Sequence, residues 1–275
     1  MADLLDNPLV QAAVAPFVVA LVVAVCLWRT RLIGLALSAA LLMVVGLTIG
    51  FSFEVLSGQR KLVLVAIAAT LALPVLEFTP LLWRQRARWS AAAAAGVAAV
   101  WTVLRVLQQH EAASALPEGS AAAVYMALLV GSTQAVADDM AITAASALGL
   151  GLASSTLALF GASALLAQMG GSIAAASGAV LLLLTLLPRP ERAPWTLAFP
   201  AAIACGLICL LAVFAGMLPW YCILPTLAVP WITRLTAGAR LRPAWQANAL
   251  AVGAALLPVA AGGLAAWLAG AANPV

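Results

Sequence analysis

Asp138 and Asp139 stand side by side in a stretch where Arg105 is the one Lys or Arg within forty positions on either side. A chain that leaves so long an apolar stretch with so little charge cannot fold in water. The whole sequence agrees: 65% of its 275 residues are hydrophobic and 8% are charged, against about 25% charged in soluble domains. Much of any folded surface faces solvent, and a soluble fold of this size could not hide so much hydrocarbon. The solvent is therefore lipid, and the expected class is an all-α, polytopic helical membrane protein. One integral membrane domain covers residues 1–275, with 1–147 and 148–275 as candidate halves.

A bilayer core of about 30 Å takes about 20 apolar residues as a helix. Windows of that length give ten spans: 9–28, 32–51, 62–82, 89–109, 121–140 or longer, 150–167, 170–187, 197–217, 219–236 and 246–270. Within 121–187 only Gly149, Gly151, Gly170 and Gly171 offer turn signals. With the N-terminus outside, the inner loops hold Arg29, Arg31, Arg84, Arg86, Arg88, Arg189, Arg192, Arg234, Arg240 and Arg242. The outer side holds Arg60, Lys61 and Arg105. That asymmetry follows the positive-inside rule and predicts that both termini are non-cytoplasmic. Trp28, Trp83, Trp89, Trp195, Trp231 and Trp245 then fall at the inner interface, and Trp220 and Trp267 at the outer one. Asp3 and Asp6 precede the first apolar run, where a secretory signal would be basic, so the first segment is expected to be a retained span. Lys61 is the only Lys, and Ala is abundant. This fits a GC-rich bacterial genome and hence a bacterial inner (plasma) membrane.

Several function classes are disfavoured. His110 is the only His, and Cys26, Cys205, Cys209 and Cys222 form no zinc pattern, so no metal or other cofactor is expected. No phosphate-cradling G-x-x-x-x-G-K-[ST] occurs. The inner loops are too short for a catalytic domain, and the scattered Arg residues do not describe a nucleic-acid surface. An enzyme is not expected; an intramembrane lipid-modifying enzyme lacks an acid/base or nucleophile set here.

Ionisable groups at membrane depth are costly, by about 2.5–3.5 kcal/mol on insertion scales, and usually face protein or water. Glu77 lies between Pro74 and Pro80. Either it sits in a bent helix beside freed carbonyls, as in the cation sites of broken transporter helices, or the helix ends near Leu76 and leaves it at the headgroups. For the two aspartates there are again two readings. In a helix running past Asp139 toward Ala147, Tyr125, Leu128, Ser132, Ala135, Asp139, Thr143 and Ser146 share an arc of roughly 80°, and Gln134 and Asp138 form a second pair one turn apart. In the other reading the span stops near Ala137 and the acids cap the next helix. Arg105 is expected to snorkel and to pair with Glu111 or Glu118. Gln168 and Asn248 read as interhelical glue, and Cys205 with Cys209 as a packing pair.

Ten spans, no soluble domain and acids at depth predict a transporter or permease for a small solute, coupled to protons or cations. Glu77, Asp138, Asp139, Ser132, Gln134 and Thr143 would line its pathway. The alternative is a non-catalytic integral subunit or assembly factor of a larger membrane complex. Expected partners are the lipid bilayer, the solute, and copies of itself or other membrane subunits. The topology is tested by reporter fusions: alkaline phosphatase fused at the C-terminus should be active and a fluorescent protein there dark. The reverse result would overturn the orientation.

Overall fold

The computed structural model describes residues 7, 9–30, 32–48, 50, 57–77, 81–109, 111–134, 136–161, 163–187, 195–216, 218–241 and 243–272. These residues form helices and turns, with no strand among them. A π-helical turn, Val10–Val14, leads into α1 (Ala15–Cys26). Then come α2 (Leu35–Thr48), α3 (Gly58–Glu77), α4 (Leu81–Leu107), α5 (Ala112–Thr133), α6 (Met140–Phe160), α7 (Ala164–Leu186) and α8 (Trp195–Gly216). Two 3₁₀ turns, Trp220–Cys222 and Leu224–Ala228, run into the short α9 (Val229–Leu235). A last 3₁₀ turn, Thr236–Leu241, precedes α10 (Ala244–Ala272). Six of these segments are long and apolar enough to cross a membrane: Arg88–Leu107, Ser114–Thr133, α6, α7, α8 and Ala244–Gly270. Val18, Val22, Val97, Leu128, Leu159, Leu257 and Leu264 are exposed, as expected where helices face hydrocarbon. The fold is that of a helical membrane protein.

Three helices do occupy the uncharged region, but each lies N-terminal to its expected window. The expected 121–140 is α5 at Ala112–Thr133, 150–167 is α6 at Met140–Phe160, and 170–187 is α7 at Ala164–Leu186. The shift has a cause. The glycines taken as turn signals lie within helices and make close contacts. A Cβ on Gly151 would stand 2.5 Å from the Ala174 backbone nitrogen, and one on Gly170 would stand 2.6 Å from that of Ser155. Both mark the α6–α7 crossing, where Ser155 also donates its hydroxyl to the Ala167 carbonyl at 2.8 Å. Small residues let helix backbones approach in lipid, where the hydrophobic effect does not drive association. The candidate boundary at 147/148 falls within α6.

The bundle is built around α8, which is buried along nearly its whole length and packs on α2, α3, α4, α5, α6 and α7. It is apolar on every side, the pattern of a helix enclosed by others. Contacts at its two ends order the rest. At the start of α8, Thr196 Oγ1 accepts from the Gly34 amide, and the Arg88 guanidinium lies 3.7 Å over the Trp195 ring. Leu211, near its finish, approaches Gly58. Close by, Lys61 Nζ donates to the Trp101 carbonyl at 2.9 Å and sits 5.0 Å over that residue's ring. The bundle therefore has an Arg88 end and a Lys61 end. Gly161 packs on Ala212, so α6 runs with α8 and begins at the Arg88 end. Gly149 meets Ala255, and Gly263 meets Thr156, so α10 runs parallel to α6 with a fixed register.

Gly151→Ala should lower the thermal midpoint, since overpacking costs about 1–3 kcal/mol. Gly253 has open space around it, and Gly253→Ala should be neutral or stabilising by up to about 1 kcal/mol. Thermal unfolding of the two variants in detergent checks this; equal midpoints would refute the tight crossing.

Candidate functional site

The helix expected to carry Asp139 on one continuous face is broken. α5 ends at Thr133, Val136–Asp138 form a turn, and Asp139 has extended backbone angles (φ −133°, ψ 120°) as the N-cap of α6. Its Oδ1 accepts from the amides of Ala141 at 2.8 Å and Ile142 at 3.2 Å, satisfying two donors that a helix start leaves orphaned. The capping alternative is therefore the one realised. The hydroxyls near the break explain it: Ser132 donates to the Leu129 carbonyl at 2.7 Å and Thr133 to that of Val130 at 2.8 Å. Such back-bonding competes with the helical ladder. Thr143 Oγ1 reaches across the turn to the Val136 carbonyl at 2.7 Å, which locks the break against α6.

The expected stripe is thereby corrected residue by residue. Ser132 and Thr143 are buried, and their hydroxyls are spent on backbone carbonyls. Asp138 is exposed in the turn, Asp139 is half-buried, and Ala135 lies outside the described residues. Gln134 is half-buried, and its Nε2 is buried with no hydrogen-bond partner among the described residues. Glu77 is the last residue of α3, which runs from the Lys61 end and so finishes at the end where Asp139 lies. Its side chain lies outside the described residues.

Further into the bundle the break leads to polar groups that sequence reading had left apart. Ser146 is 2% exposed and Asn248 5% exposed. Among the described residues, neither the Ser146 hydroxyl nor either amide atom of Asn248 has a hydrogen-bond partner. Beyond them, Cys205 lies beside Ser154 and Cys209 beside Tyr125. Tyr125 Oη lies 2.8 Å from Thr226 Oγ1. Thr226 gives its own proton to the Ile223 carbonyl at 2.6 Å, so Tyr125 is the donor between them. At 1.5 Å per residue, Asp139 and Ser154 are about 22 Å apart along α6. A set of hydroxyl, amide and thiol groups, the polar column, thus stands at successive levels of the core. Cys205 and Cys209 belong to it, while also packing as expected. Thr226 was missed because its Pro-rich segment carries no periodic signal: Pro225 and Pro230 flank it, and the backbone there is 3₁₀.

At the Lys61 end a cleft of about 470 Å³ lies between the starts of α3 and α7 and the ends of α4, α6 and α8. Gln59, Arg105 and Ser163 are among its lining residues. Arg105 is exposed and forms no ion pair among the described residues, so the expected bridge to Glu111 or Glu118 is absent there. The reason lies in α4, whose C-terminal carbonyls favour a cation in the last turn without a carboxylate. Among the described residues no three His, Cys, Asp or Glu side chains gather as a metal site. The chain matches no protein-family model, no curated protein and no solved structure.

The cap gives a direct prediction. Asp139→Ala should cost about 1 kcal/mol of stability, Asp139→Asn much less because Asn caps equally well, and Asp138→Ala close to nothing. Chemical or thermal unfolding of the three variants measures this; a destabilised Asp138→Ala beside an unaffected Asp139→Ala would reverse the assignment.

Proposed function

We propose that the protein is a secondary transporter or permease for a small solute, working in the inner membrane of a bacterium. The ten helical segments cross the bilayer in alternation, with both termini outside the cytoplasm and the Arg88 end facing in. One observation carries the reading. At the Arg88 end the chain breaks between two apolar helices, and Asp139 stands at the foot of a polar column that enters the core. Transporters hold ions and charged groups of their solutes where helix N-termini meet a polar interior. Asp139 is the coupling residue, Gln134 lies beside its mouth, and Glu77 is a second acid at the same end. The cleft at Arg105 is the solute's entrance from the other side.

A second reading, an integral subunit of a larger complex, has its own support. A groove of about 590 Å³ between α4 and α5 is lined by apolar side chains, including Val97, Val100, Leu104 and Val124, with Gly96 at its floor. Such a surface would also seat a partner's helix.

The test uses sealed vesicles holding the purified protein and an imposed proton gradient. They are exposed to a defined mixture of amino acids, sugars and carboxylates, and uptake is read by mass spectrometry against empty vesicles. At least one solute should accumulate with the wild-type protein and with Asp138→Asn, and accumulation should be abolished in Asp139→Asn. Finding no solute enriched, together with isolation from the native membrane in fixed proportion with other chains, would favour the subunit reading.

A further inference from the structure

The unpartnered Ser146 and Asn248 lie within about one helical turn of each other along the axis. Gly149 faces Ala255, and Thr156 faces Gly263, so positions on α6 and α10 correspond with an offset of about 106 residues along parallel axes. Asn248 is seven residues before Ala255, a spacing that returns to the same helical face. It therefore faces α6 at the level of Ile142. Ser146 lies one turn before Leu150 on the buried side of α6, about 6 Å above Asn248 along the axis. The side chains sharing that layer offer these groups no bond. Thr143 Oγ1 donates to the Val136 carbonyl, and Thr233 Oγ1 to the carbonyls of Val229 and Pro230, both at 2.9 Å. An amide with a donor and an acceptor both unsatisfied is costly to bury, because each group has given up its bond to water. Asn248 and Ser146 would together tax the fold heavily unless something small bonds to them.

Above this layer the helices pack closely. A Cβ on Gly149 would stand 2.8 Å from Ala255 Cβ and 3.0 Å from Val229 Cγ1, which brings α6 tightly against α9 and α10. Below it lie the unpartnered Gln134 Nε2, the turn, and the exposed Asp138. We propose that Ser146 and Asn248 form a water-binding pocket, continuous with the aqueous phase beyond Asp139 and sealed from the upper column by the Gly149 contact. Each of the two polar groups can give and take hydrogen bonds, which suits water and no fixed charge. This deepens the transporter reading and rests on it only for its purpose: the pocket is the inward-facing stretch of the pathway, and Gly149 marks the closed point.

The experiment reads water access independently of transport. In a Cys26→Ala background, which removes the exposed native thiol, Ser146→Cys, Asn248→Cys and Ser154→Cys are made singly. Vesicles of known orientation are treated with silver ion, a thiol-reactive probe close to water in size, and bound silver is measured by elemental analysis. Ser146→Cys and Asn248→Cys should each bind an additional silver ion per chain from the Asp139 side and none from the other. Ser154→Cys, above the seal, should add none from either side. Size-exclusion profiles like the parent's establish folding, and either pocket variant suffices if the other fails to fold. If the folded pocket variants take up no more silver than Ser154→Cys, the hydrated pocket is overturned even where solute uptake persists. If they label as expected while no solute is transported, the pocket stands and the transporter reading falls.

Discussion

Hydrocarbon offers a buried backbone amide or carbonyl no bond, and each group left alone there costs several kcal/mol. This constraint orders the molecule. Apolar stretches become helices because helices satisfy themselves, and among the described residues the chain departs from that rule where other groups take over. The departure between α5 and α6 is the clearest. Asp139 takes two amides of α6, Thr143 takes the Val136 carbonyl, and Ser132 and Thr133 return to their own helix. The Pro-rich segment before α9 is handled similarly, with short 3₁₀ bonds and the Thr226 hydroxyl on the Ile223 carbonyl.

With the backbone satisfied, side-chain volume decides how helices meet. Gly151, Gly170 and Gly149 bring α6 against α7 and α10 at distances a methyl group would block. These contacts fix the register that sets Asn248 opposite the first turns of α6. The same closeness that excludes lipid thus positions the unbonded polar groups, and packing and the candidate pathway share one cause.

The helical membrane class was legible because hydropathy acts over windows of about 20 residues, long enough to average out local ambiguity. Boundaries within the uncharged region were not. A glycine that turns a chain and a glycine that admits a neighbouring helix look alike in sequence, and the difference lies in the partner backbone. The aspartates were legible only as a choice between two readings. Helical periodicity could place Asp139 with Thr143 and Ser146 on one face, but it could not register that the hydroxyls of Ser132 and Thr133 would bond backward and end α5. Tyr125 was visible as a polar tip. Its bond to Thr226 joins positions 101 residues apart, which no local pattern encodes.

The most direct measurement of the central claim is a high-resolution electron cryomicroscopy map of the protein in lipid nanodiscs. The account predicts a break in the chain between Thr133 and Met140 and the Asp139 carboxylate on the first amides of α6. It also predicts ordered water density between the turn and the side chains of Ser146 and Asn248. A continuous helix from α5 into α6, or an Asn248 side chain directed into lipid with dry protein around Ser146, would contradict it.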